Sequence, residues 1–248
     1  MPLSLDRREE AVSEPLSLIR WDAPGPYVVA FSTREGGMSE GVYASLNLGL
    51  ATADERAKVE ENRGRVFAAV DADEARASWP RQMHGADVLR VGGRGELGDA
   101  IWSDEPGRAI VVVAADCAPV ALARIDGGRP AVALAHVGWR GLLAGIVPAA
   151  VSALGGRFVT AAIGPAIGPC CYEVGEDVAR PVRAAHGLGL VRDGRLDLPG
   201  AIERALRAAG CVTVERLDEC TSCHAERYFS HRRDGGVTGR QGAIAYVA

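Results

Sequence analysis

The stretch Cys117–Gly141, CAPVALARIDGGRPAVALAHVGWRG, decides how the chain is read. Two apolar runs, VALARI and RPAVALAHV, flank a turn at Asp126-Gly127-Gly128. Strand-forming runs joined by so short a glycine turn make an antiparallel hairpin. With the turn near Gly127, Cys117 stands just before the first strand and His136 ends the second. Antiparallel neighbours offset by two residues lie about 7–8 Å apart at their α-carbons, a gap that a thiol and an imidazole close onto one ion. The hairpin runs straight into Gly138-Trp139-Arg140-Gly141 and an apolar helical run. It therefore ends on a helix N-terminus with a guanidinium beside it, which suits an anion.

Outward from the hairpin, AIVVVAA (Ala109 to Ala115) reads as a continuous buried strand, central in its sheet. YVVAF (Tyr27 to Phe31) is a second strand, followed by the glycine-rich loop STREGGMSEG. Thr52 and Glu55 form the pattern of a capping box that opens a helix through about Val70. The apolar stripe of that helix is Val59, Val66, Phe67 and Val70, and Asn62 and Arg63 fall on it. Either Arg63 snorkels at the edge of the stripe, or both polar residues point into a pocket inside the fold. GLLAGIVPAAVSAL is helical, bent or divided by Pro148. FVTAAIG is a strand, helices are expected near Asp177 to Ala185 and from Ile202 to Ala209 after the Pro199-Gly200 break, and VTVER and AIAYVA supply late strands. Strands outnumber helices and at least one pair is antiparallel, which indicates an α+β fold with mixed sheets. Residues 1–20 read as a loose N-terminal tail and residues 21–248 as a single domain.

Composition narrows the function classes. About half the residues are apolar and the formal net charge is −4, so there is no basic field for a nucleic-acid backbone. Of the basic residues only Lys58 is a lysine. No apolar run is long enough to span a bilayer, and the acidic start MPLSLDRREEAVSEP has no hydrophobic segment of the kind an export signal needs. The expected compartment is the cytoplasm, where the six cysteines are reduced thiols or metal ligands. The size is compatible with a monomer.

His84, in RQMHGADV, lies in a loop before a short strand and is the natural third ligand beside Cys117 and His136. Two imidazoles and one thiolate leave a tetrahedral zinc ion with an open position, as catalytic sites do. The main alternative uses Cys117 as a nucleophile and His136 as its base without metal, with Asp116 orienting a histidine or acting as a base. A third reading is a non-enzymatic partner-binding protein stabilised by its metal. Cys220-Thr221-Ser222-Cys223 has no second CxxC to complete it, and the adjacent Cys170 and Cys171 are not expected to supply that geometry, so these four read as spectator thiols. The C-terminal run YFSHRRDGGVTGRQG gathers Arg232, Arg233 and Arg240 around glycines, either as a solvated loop or as an edge that binds phosphate or carboxylate.

The motifs FSTREGGMSEGVYASLNLG, ENR, QMHGADV, ADCAPV, HVGWRG, IGPAIGPCCYEVG, CT and FSHRRDGGVTGRQ occur in the order found in the YfiH-type family, also called the laccase-domain or polyphenol-oxidase-like family. The resemblance covers roughly Phe31 to the C-terminus, with one small departure at Ala166, where some members have Cys. It implies a four-layer α/β/β/α arrangement related to bacterial toxins that deamidate through a Cys–His pair. It also implies a metal set of His84, Cys117 and His136. Members are associated with phosphorolysis of purine nucleosides and methylthioadenosine and with adenosine deamination, and some bacterial members with editing of peptidoglycan precursors. Nucleoside and inorganic phosphate are then the expected small-molecule partners. Arg34, Arg63 and Arg140 are candidate phosphate or ribose contacts, Asn47 and Gln82 hydrogen-bond partners of the substrate, and Asp116 a proton shuttle for deamination. The copper suggested by the laccase name is the lesser expectation: five histidines with no His-x-His pair do not furnish a four-copper oxidase, although a single His₂Cys copper centre with Met83 as axial ligand is conceivable.

Overall fold

The computed structural model describes residues 16–92 and 95–248. A four-stranded antiparallel sheet has the order β1 (Leu18–Arg20), β2 (Tyr27–Ser32), β12 (Gln241–Val247), β5 (Ile110–Ala114). A six-stranded mixed sheet has the order β11 (Thr213–Arg216), β8 (Val159–Ile163), β6 (Ala118–Arg124), β7 (Val132–Val137), β4 (Ala100–Ser103), β3 (Val88–Arg90). Its two outer pairs are parallel and its inner ones antiparallel. β9 (Val191–Arg192) and β10 (Arg195–Leu196) make a separate small hairpin. The α+β expectation with mixed sheets agrees with this topology. The tail expectation is corrected at its end: Leu18–Arg20 pair with β2, and the rest of the expected tail, residues 1–15, lies outside the described residues.

Strand periodicity explains how the sheets stack, because alternate side chains leave opposite faces. In β6, Val120 and Leu122 enter one buried cluster while Ala121 and Ala123 enter another. The first cluster lies under α2 (Trp139–Ala144), α3 (Ile146–Leu154), α4 (Glu176–His186) and α5 (Leu198–Ala208), through Leu142, Ile146, Val182 and Ile202 among others. The second joins the inner faces of the two sheets, with Phe31, Val112 and Ala245 meeting Ile101, Leu134 and Ala162. On the far face of the four-stranded sheet, Val111, Ile244 and Tyr246 pack under Val66 and Phe67 of α1 (Arg56–Ala69). Among the described residues no helix is long and apolar enough to cross a membrane.

Local chemistry departs from the sequence expectations in four places. The capping box does not form. Thr52 Oγ1 donates to the Gly49 carbonyl at 2.7 Å, and α1 begins at Arg56 behind Glu55, whose side chain makes no capping bond. Asn47 and Asp54 organise the entry instead: Asn47 Nδ2 donates to Thr52 Oγ1 and to Asp54 Oδ2. Second, the helical run after the hairpin divides at Gly145, in the left-handed region at φ 92°, where glycine has no Cβ penalty. Pro148 is the third residue of α3, in a first turn that requires no donor from it. Third, Pro199 and Gly200 lie inside the first turn of α5, whose N-cap Asp197 accepts the Gly200 N–H at 2.9 Å. Fourth, β5 is an edge strand by pairing. Its apolar run reflects burial on both faces, and its open edge is covered by Ser78 and by Gln82, whose amide exchanges both hydrogen bonds with the Val113 backbone at 2.7 and 2.9 Å.

Candidate metal centre and active site

The hairpin register sets Pro119 opposite His136, so Cys117 stands two residues from that partner, the offset anticipated from the turn. On the other side of β7, Ala100 pairs with Ala135, which brings Asp99 beside His136. His84 reaches the same point from the loop before β3. The ligand atoms of His84, Cys117 and His136 all lie within 4.8 Å of one another, and the two imidazoles meet nearly edge to face at 4.8 Å between centroids. His136 is buried, Cys117 half-buried and His84 exposed to the cleft.

These residues fit a metal by three observations. The donor set, one thiolate and two imidazoles, matches zinc with one position left over. Gly138 leaves room that a Cβ would fill, since that atom would sit 2.7 Å from Cys117 Sγ and 3.4 Å from His84 Nδ1. And a buried carboxylate orients the set. Asp99 Oδ1 lies 3.0 Å from His136 Nδ1, which leaves Nε2 for a ligand, while both its oxygens accept the backbone N–H groups of Met83, His84 and Gly85 at 2.7–3.0 Å. Carboxylates of this kind hold ligating histidines in place. Burial alone would raise the Asp99 carboxyl; the imidazole and the three N–H groups outweigh it and hold it at about 2. Cys117 and His136 perturb each other. Burial disfavours charge on both, yet His136 and then His84 hold the thiol well below its ordinary value, while Cys117 and then Asp99 hold the His136 imidazole above its own. Backbone strain concentrates here as well, for His84 and Asp116 have φ of 60° and 89° without being glycine.

The three residues sit in a cleft of about 770 Å³, within the usual range for a small-molecule site. Its walls carry Arg63, Arg81, Arg140, Arg232 and Arg240, and Asp116 is the acid among the lining residues, so an acidic protein presents a locally cationic cleft. Arg140 is exposed and stacks on Trp139 at 4.3 Å. Arg63 is buried, lies 3.8 Å above the Trp79 ring and donates to the Leu48 carbonyl, so it does not snorkel. Gln82 lines the cleft with its amide committed to β5. Asp116 Oδ1 accepts from Thr221 at 2.7 Å and Oδ2 from the Arg232 N–H at 2.6 Å, which ties both C-terminal loops to the cleft.

Arg34 and Asn47 stand apart from the cleft lining. Arg34 donates to the Ala44 and Ala225 carbonyls and lies 4.5 Å over Phe229. The fully buried Asn47 accepts from the Gly49 and Arg240 N–H groups. Both brace loops, and neither is among the residues that line the cleft. Of the C-terminal arginines, Arg232 and Arg240 line the cleft, whereas Arg233 pairs with Asp234 and donates to the Thr221 and Tyr228 carbonyls. Sequence reasoning missed Asp99 and Tyr172. Tyr172 lines the same wall, its phenol pushed up to about 12 by burial and then by Cys117, so it stays protonated at neutral pH. The four remaining loop cysteines, read as spectators, converge as a second group.

Residues 28–248 match the family model described as multi-copper polyphenol oxidoreductase laccase. The chain is 37% identical over 239 residues to the purine nucleoside phosphorylase YfiH of Escherichia coli, covering 92% of this chain and 97% of that one. It is 41% identical over 226 residues to a purine nucleoside phosphorylase of Deinococcus radiodurans, covering 87% of each. The crystal structure of YlmD from Geobacillus stearothermophilus superposes with a TM-score of 0.86 at 32% identity, over 97% of this chain and 98% of that one. With its fold and nearly its whole length matched in this way, the chain belongs to the YfiH-type, laccase-domain family.

Proposed function

We propose that the chain is a zinc-dependent purine nucleoside phosphorylase whose centre is His84, Cys117 and His136 and whose arginine-lined cleft holds phosphate and nucleoside. The observation that carries this reading is the placement of a three-donor group with a buried orienting carboxylate on a cationic cleft of nucleoside size. The relatives named as purine nucleoside phosphorylases supply the substrate class. Zinc suits the donor set better than copper, because the described residues offer no second histidine group and Met83 is exposed. When bound, the ion supplies Lewis-acid polarisation of a substrate oxygen or of water.

In phosphorolysis an oxygen of inorganic phosphate bonds to the ribose C1′ as the C1′–N9 bond breaks, and the purine leaves with the bonding pair and takes up a proton. Arg140, Arg232 and Arg240 hold the phosphate by charge and by N–H donors. Asp99 keeps His136 in one tautomer and one orientation. Tyr172 offers a neutral O–H donor to the ribose or the base. Adenosine deamination and methylthioadenosine phosphorolysis belong to the same reading as further reactions of one cleft, with Asp116 as the acid that lines it.

One observation favours a second reading. Cys117 and His136 are close enough to act as a nucleophile–base pair, each holding the other towards its charged form, and such a pair would cleave an amide in a peptidoglycan precursor. Incubation with adenosine, inosine, guanosine and methylthioadenosine, with and without phosphate, separates the two. Phosphorolysis releases free base and ribose 1-phosphate only when phosphate is present, and it is lost in chelator and restored by zinc. Cleavage of precursor peptides that survives chelator, with no base released, would replace the first reading with the second.

A further inference from the structure

We propose that Cys170, Cys171, Cys220 and Cys223 form a second, structural metal site that binds a thiophilic divalent cation, zinc, through four thiolates. The four sulfur atoms all lie within 4.8 Å of one another, although the sequence supplies them as an adjacent pair and a CxxC pair some fifty residues apart. Four thiolates around one zinc ion at about 2.3 Å stand about 3.8 Å from each other. Cys223 Sγ is 3.4 Å from both Cys170 Sγ and Cys171 Sγ, far beyond the roughly 2.05 Å of a disulfide and close to the separation that a shared ion sets.

The surroundings of Cys220 suit thiolate. The Gly168 N–H donates to Cys220 Sγ at 3.2 Å, the outer-shell hydrogen bond that ligating sulfur receives. A Cβ on Gly168 would come within 3.4 Å of Cys170 Sγ and 3.3 Å of the Cys220 Cβ, so the backbone is drawn in close around the group. Four protein ligands leave no open position, which marks a structural ion, in contrast to the three-donor centre in the cleft.

The place of the group in the fold gives the ion its task. Cys170 and Cys171 lie on the connection from β8 to α4, and Cys220 and Cys223 on the segment after β11. These two irregular segments meet in an isolated bridge between Ala166 and Cys220. The first carries Ile167 and Tyr172 to the cleft wall; the second carries Thr221, whose hydroxyl holds Asp116 beside Cys117. An ion that crosslinks them fixes one wall of the cleft without touching substrate, at a point where regular secondary structure does not.

The test is independent of what the cleft catalyses. Full-length protein loaded with zinc is assayed for metal by mass spectrometry, beside His84→Ala and the double variant Cys170→Ser/Cys223→Ser. Two zinc ions per chain are expected in the unaltered protein and one in each variant. Cobalt substitution in the His84→Ala background is expected to give the intense sulfur-to-cobalt charge-transfer bands of a tetrathiolate centre, and the exposed thiols of Cys170 and Cys223 should resist Ellman's reagent until a chelator is added. The cobalt spectrum decides the matter if the cysteine variant does not fold. A single zinc in the unaltered chain that His84→Ala abolishes, a Cys170–Cys223 disulfide in the peptide map, or thiols that react at once in the zinc-loaded protein would each overturn the site.

Discussion

His136 Nδ1 lies 3.0 Å from Asp99 Oδ1, and the His136 N–H donates to the Asp99 carbonyl at 2.7 Å. Asp99, the residue just before β4, thereby fixes both the backbone and the ring of His136 in β7. The same carboxylate collects three N–H groups from the turn that carries His84, so it orients two of the three donors at once.

Asp99→Asn therefore separates metal binding from folding. The amide keeps the volume and some acceptor capacity but loses the charge that fixes the imidazole. Zinc affinity, read by competition with a chromophoric chelator, should fall about 10–100-fold, while far-ultraviolet circular dichroism remains that of a folded chain. Unchanged affinity would mean that Asp99 serves only the turn.

Gly138→Ala probes the same centre from the other side. Gly138 has φ −96°, which alanine adopts without strain, so the backbone tolerates the change. The new methyl would stand 2.7 Å from Cys117 Sγ, inside the space an ion and its thiolate need. Metal content and turnover should drop together with little loss of thermal stability. A variant that keeps its zinc at this site would show that the loop yields, and would count against the packed donor geometry.

How much of this could be read from the chain follows from which contacts are local. The Cys117–His136 relation was legible because a turn of known length sets a hairpin register. Asn62 and Arg63 were legible as anomalies on an apolar stripe, and their burial has a polar solution: Asn62 accepts from Met38 N–H and donates to Ser39, Ser45 and Asn47. Asp99 was not legible, because its role exists only once β4 lies beside β7. Arg34, Asn47 and Gln82 belong to motifs, yet they hydrogen-bond to backbone or to neighbouring side chains, and a motif does not say whether a side chain serves a ligand or a loop. The convergence of the four cysteines was not legible, since an adjacent pair looks unable to share a site until the loop that turns it is seen.

Asn62→Ala should be among the costliest single changes outside the cleft. It takes the acceptor from the Met38 N–H and the amide donor from the buried Ser39 hydroxyl and the Asn47 carbonyl, while the Ser45 carbonyl keeps the Ser39 N–H. Such losses cost about 2–4 kcal/mol, measurable by urea unfolding. A cost below about 0.5 kcal/mol would mean that water replaces the amide.

Arg140→Ala should do the opposite. Arg140 is exposed and its recorded contact is the Trp139 ring, so stability should change by no more than about 0.5 kcal/mol. If it holds phosphate, KM for phosphate rises about 10–100-fold, the worth of a charge-assisted contact, and Arg140→Lys recovers only part because the planar fork is lost. Equal KM values in the two variants and the parent would move the phosphate to Arg232 and Arg240.

Acid stability tests the loop that delivers those two arginines. Asp234 accepts from Arg233 Nε at 2.7 Å and Nη2 at 2.8 Å and from Thr238 Oγ1 at 2.9 Å. Partial burial would raise its carboxyl, but Arg233 and Thr238 hold it below the ordinary 3.8. A depressed carboxylate binds fewer protons folded than unfolded, so its contribution is complete above that ordinary value and is lost as pH falls below it towards the folded one. The unfolding free energies of the parent and Asp234→Asn should thus differ by a constant amount near neutrality and converge as the solution is acidified below about pH 4. Curves that stay parallel down the acid limb would show that Asp234 titrates alike in both states, and that the ion pair with Arg233 does not hold the loop.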